Sequence, residues 1–130
     1  MLTIIKDVPQ ADLIEDVVLT SDAAHVIQIN SDGQFFIHQL ASGRVVLSGR
    51  LVDDEIIAYT PEGYYWSSYE GAHFVQLRFS GLPGLYPFQQ FASILNRPDI
   101  VRAQLHPGAP TPPSPKLVPP PTLELALAKD

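Results

Sequence analysis

Across residues 16–79 turn-forming residues interrupt the chain about every ten positions, and this spacing constrains the fold more than any other feature. Val17-Val18-Leu19 runs into Ser21-Asp22-Ala23-Ala24, and His25-Val26-Ile27-Gln28-Ile29 into Ser31-Asp32-Gly33. Phe35-Phe36-Ile37-His38-Gln39-Leu40 follows, then Ala41-Ser42-Gly43, then Arg44-Val45-Val46-Leu47-Ser48. The runs are dense in Val, Ile and Phe, which suit a pleated and largely buried surface. Glycine and Asp-Gly recur too often for a helix to persist. Residues 51–59, 64–66 and 72–79 extend the pattern, with Pro61-Glu62-Gly63 as a tight turn. Residues 2–6 form one more short candidate strand. The fold class expected is therefore all-β, built from short antiparallel strands.

The pattern changes after Gly81-Leu82-Pro83-Gly84. Phe88, Phe91, Ala92 and Leu95 recur at i, i+3, i+4 and i+7, which predicts a short helix over residues 87–95. Pro98 suits a first helical turn and Asp99 the positive helix end, with Asn96 or Arg97 before them as cap. Ile100, Val101 and Leu105 give this second short helix an apolar side. From Pro107 to Pro121 eight of fifteen residues are proline, which predicts an extended or disordered tail with polyproline II character. Leu123-Glu124-Leu125-Ala126-Leu127 alternates like a strand. The organisation expected is a β-domain with terminal helices over residues 1–106 and a linker over 107–130.

Composition narrows the function. The 130 residues suffice for one domain, and 45% apolar content makes a core feasible. Fourteen acidic against eight basic residues give a net charge of −6. No basic cluster exists to neutralise phosphates, which argues against nucleic-acid partners and anionic membrane surfaces. No segment approaches the ~20 apolar residues of a membrane-spanning helix, and the N-terminus lacks the apolar run of a signal peptide. The chain has no cysteine, so disulfides, thiolate metal sites and a cysteine nucleophile are excluded. A cytoplasmic location is the expectation.

Few constellations suggest chemistry. His25 and His38 fall on neighbouring strands, but no third ligand joins them at metal-site spacing, and His73 and His106 lie elsewhere. No cofactor is expected. Asp53-Asp54-Glu55 and Glu62 offer carboxylates for general acid–base work, or a charged strand edge. Ser21, Ser42, Ser48 and Ser80 lie near turns, none in a nucleophile elbow. Tyr59, Tyr64, Tyr65, Trp66 and Tyr69 form the one aromatic concentration. Tyr64, Tyr65, Trp66 and Tyr69 are the candidate interaction surface, with a core cluster as the plainer explanation. Alternation places Tyr64 and Trp66 on one face and Tyr65 on the other. The Pro-x-x-Pro steps of the tail suit a peptide groove or, more simply, a spacer.

Residues 17–49, with Ser31-Asp32-Gly33 and Ser42-Gly43 at inter-strand turns, resemble one blade of a WD-repeat protein, without the Trp-Asp pair. Thr60-Pro61-Glu62-Gly63-Tyr64-Tyr65, a strand ending Leu77-Arg78-Phe79, and Gln90-Phe91-Ala92-Ser93-Ile94-Leu95-Asn96-Arg97-Pro98-Asp99-Ile100-Val101 resemble the segment after the last blade of bacterial WD-repeat proteins. In many of those proteins this cassette, here residues 60–105, leads through a proline-rich linker to a caspase-like peptidase domain. The resemblance implies a β-propeller relationship and a scaffold role in protein–protein interaction. It does not carry the neighbour's activity, which needs a cysteine nucleophile. A propeller needs about four or more blades, and a lone blade cannot bury both faces. The expectations are therefore assembly with a protein partner or as a homo-oligomer, closure into a small sandwich or barrel, or a piece of a longer propeller. The function expected is non-catalytic interaction. The alternative is a ligand-binding or hydrolytic β-barrel using the Tyr/Trp cluster and the carboxylates of Asp53, Asp54 or Glu62.

Overall fold

The computed structural model describes residues 2–6, 14–79 and 82–117. Among these residues nine antiparallel strands lie in two open sheets. Six of them form one meander in chain order: β2 (Ile14–Leu19), β3 (His25–Asn30), β4 (Gln34–Gln39), β5 (Val45–Val52), β6 (Glu55–Tyr59) and β7 (Tyr65–Ser67). β1 (Leu2–Lys6) pairs instead with β8 (Val75–Phe79), and β9 (Tyr86–Pro87) flanks β8 on its other side. The strands do not close into a barrel. A 3-10 helix, Gly71–Phe74, leads into β8, and another, Phe88–Phe91, runs directly into α1 (Ala92–Leu95). α2 spans Pro98–Ala103.

The local causes are the ones the turns suggest. In the β2–β3 turn the Asp22 carboxylate accepts from the Thr20 hydroxyl at 2.5 Å and from the Ala24 amide at 2.9 Å. In the β3–β4 turn Gly33 adopts φ +86°, and the Asp32 carboxylate accepts from the Gln34 amide at 3.0 Å. β5 runs unbroken through Ser48 and Gly49, where the sequence suggests a break. The Phe35 ring opposite occupies the space a Cβ on Gly49 would need. The hairpin after it turns on Asp53 and Asp54, with Asp53 at φ +54°.

Two apolar clusters follow from side-chain alternation along β6. Ile57 and Tyr59 face one side, joining Tyr65, Val75, Leu77, Phe79, Phe88, Phe91 and Leu95 in the larger core. Ala58 faces the other, with Ile37, Val46, Leu47 and Val101 of α2. Phe88 is fully buried and stacks at a tilt on Tyr65, with ring centroids 4.8 Å apart. Each such side chain contributes about 1.5–3 kcal/mol by leaving water. The helices thus seal both faces of the sheet at its β5–β7 end.

The proline-rich tail, expected to be extended or disordered, is held against the domain in its first part. Residues 109–117 carry neither helix nor strand but lie against the domain, and Leu117 packs on the larger core. Proline-rich backbone has no ladder to join, yet its carbonyls remain good acceptors, and the domain supplies donors to them. The strand-like run at residues 123–127 lies outside the described residues. Among the described residues no helix is long and apolar enough to cross a membrane.

Candidate interaction surface

The aromatic concentration divides between core and surface. Tyr65 opens β7 opposite Tyr59 and is buried against Phe88. Tyr64, just before the strand, is buried too, and its hydroxyl donates to the Pro113 carbonyl at 2.6 Å. Trp66 pairs with Ala58 and is 42% exposed, and Tyr69 is 90% exposed. Of the four candidate contact residues, then, only Trp66 and Tyr69 present substantial surface. Burial raises the Tyr65 hydroxyl, and it pushes Tyr59 up to about 12, with the Arg50 guanidinium opposing the shift.

A second exposed apolar group lies at the far end of the meander. Val17 and Leu19 of β2 are 59% and 57% exposed, and Val18 is 42% exposed. β2 pairs only with β3, so its outer edge has no strand beside it among the described residues. The register places Val17 opposite Gln28 and Leu19 opposite Val26, with a shift between Ile14 and Asp16. At the other end of the meander, β7 meets Asn96 through a parallel bridge, and the Arg97 amide donates to the Tyr65 carbonyl at 3.1 Å. Among the described residues one edge is covered and the other is open.

Between these ends lies a polar layer that sequence reasoning missed. Arg50 and Asp32 are both nearly buried, with Nη2 3.7 Å from the carboxylate and 3.3 Å from the Asp32 carbonyl. Gln34 is buried, and neither atom of its side-chain amide meets a partner among the described residues. Gln34 and Arg50, with Gly49, Tyr59 and Val75, surround a gap that admits no water-sized molecule. The gap therefore falls far short of the few hundred Å3 a small-molecule pocket needs.

The other candidates remain apart. His25 pairs in register with Gln39, so alternation places it on the opposite face from His38. His73 lies 3.4 Å from Glu70, and His106 is exposed in the turn after α2. No group of three or more metal-ligating side chains comes together among the described residues. Asp53 and Asp54 sit at the start of β6 and Glu62 beyond its end, separated by a five-residue strand of about 17 Å. They do not form an acid–base pair. Glu55 instead accepts from the Ser68 hydroxyl at 2.7 Å and the Glu70 amide at 2.8 Å, and these bonds hold its carboxyl below the usual range. Ser80 lies outside the described residues.

Searches of known protein families, of characterised proteins and of solved structures return no match to this chain.

Proposed function

We propose that this chain is a non-catalytic protein-interaction module related to the closing end of a WD-repeat propeller. The observation that carries the proposal is the open β2 edge, with Val17, Val18 and Leu19 exposed in sequence. An uncovered apolar edge strand is a template for another strand. The four-stranded antiparallel run β2–β5, which contains residues 17–49, supports the likeness to a blade. Trp66 and Tyr69 add aromatic contact area of the kind that anchors interfaces.

The partner is a β-structured protein, of which a second copy of the chain is the simplest. Antiparallel self-pairing centred on Val18 sets Val18 against its own copy, Val17 against Leu19 and Asp16 against Thr20. The acidic side chains are then offset, so the net charge of −6 does not concentrate at the contact. The low basic content disfavours nucleic acid and anionic membranes as partners, and the absence of cysteine suits a reducing cytoplasm.

Light scattering on a size-exclusion column tests the proposal with the native chain and Val18→Lys. The native chain is expected to exceed its 14.3 kDa monomer mass as concentration rises, and Val18→Lys to return it to one chain. A native chain that stays at monomer mass at every concentration, or a lysine variant that assembles equally, contradicts pairing through β2.

A further inference from the structure

The propeller reading treats the proline-rich segment as a spacer, but its contacts are those of a ligand. The Gln39 Nε2 and Arg44 Nη2 groups approach the Ala109 carbonyl at 3.5 and 3.2 Å. The Gln104 Nε2 group donates to the Pro110 carbonyl at 3.4 Å, and the Tyr64 hydroxyl to the Pro113 carbonyl at 2.6 Å. These four donors come from the end of β4, the β4–β5 turn, the approach to β7 and the residue after α2. Three of them, Gln39, Tyr64 and Gln104, are more than nine-tenths buried. The Ser42 hydroxyl donates to Gln39 Oε1 at 2.7 Å, which turns the amide nitrogen toward Ala109.

This donor-only arrangement matches the chemistry of its occupant. A proline strand offers carbonyls and few N–H groups, and its stiff backbone loses little freedom on docking. We propose that Gln39, Arg44, Tyr64 and Gln104 form a binding track for a proline-rich strand, filled by the chain's own residues 109–117. Residues 109–117 are consequently held by the domain up to Leu117, whose side chain packs on the core, and do not act as a free spacer.

The exposed Lys116 supplies the test, because trypsin cleaves after it only when the strand lifts off. The Lys116–Leu117 bond is expected to be cut at least tenfold more slowly in the full chain than in a free peptide of residues 107–122. Tyr64→Phe keeps the ring and removes one donor, and is expected to accelerate cleavage about fivefold; Gln104→Ala is expected to act in the same direction. In a second arm residues 109–117 are replaced by an equally long Gly-Ser run within the full-length chain. A labelled peptide of residues 107–117 is expected to bind this variant and to bind the native chain at least tenfold more weakly, since the tethered segment competes at roughly millimolar effective concentration. Equal cleavage in chain and peptide overturns the proposal, and so does a folded replacement variant that takes up no peptide. Neither outcome depends on whether β2 pairs with anything.

Discussion

A Cβ on Gly33 would lie 2.0 Å from the Leu51 carbonyl oxygen, and φ there is +86°. The Leu51 amide also donates to the Gly33 carbonyl at 2.8 Å, so the β3–β4 turn and the end of β5 are locked together. Gly33→Ala is therefore expected to cost at least about 2 kcal/mol, measured by chemical denaturation. Titratable residues give this scale a pH signature. Tyr59 has a folded pKa of about 12 against an unfolded value near 10. Its raised value means that the neutral form is favoured in the fold. That contribution, on the order of 2 kcal/mol, is complete below pH 10 and is lost as pH rises through 12. Tyr59→Phe is expected to flatten the alkaline limb of a melting-temperature profile over that window. The sign reverses for Glu55, whose pKa is lowered by Ser68 and the Glu70 amide. Its stabilisation is present above the usual carboxylate range and disappears as pH falls below it, so Glu55→Gln is expected to flatten the acid limb.

Elements show which kinds of information a sequence carries. The helical register at Phe88, Phe91 and Leu95 is legible because all three reach the core. Phe88→Ala is expected to destabilise the chain by about 3–5 kcal/mol, checked by the denaturant midpoint at unchanged slope. Turn chemistry likewise places β2, β3 and β4. It misplaces the break in β5, because Gly49 serves the Phe35 ring and not a turn. The pairing of β1 with β8 is invisible to local patterns, since it joins residues 69 to 77 positions apart. The tyrosines illustrate the same limit at the surface. Tyr64 and Tyr65 are adjacent and chemically alike, yet one meets the proline strand and the other Phe88. The donors Gln39, Arg44 and Gln104 carry no motif at all; only the fold brings them to one strand.

At the scale of the whole molecule the chain is asymmetric. Its β5–β7 end is closed on both faces by β8, the helices and the proline strand. Among the described residues its β2 end is open, with three consecutive apolar residues exposed. The proposed role rests on this contrast, because a closed end and a sticky end together make a terminal unit of a larger β-assembly. The most direct test is hydrogen exchange resolved to residues 16–19 across a range of protein concentrations. The account predicts that their amides gain protection as concentration rises and lose that gain in Val18→Lys, while β6 is unaffected. Exchange at residues 16–19 that is independent of concentration in the native chain would contradict it.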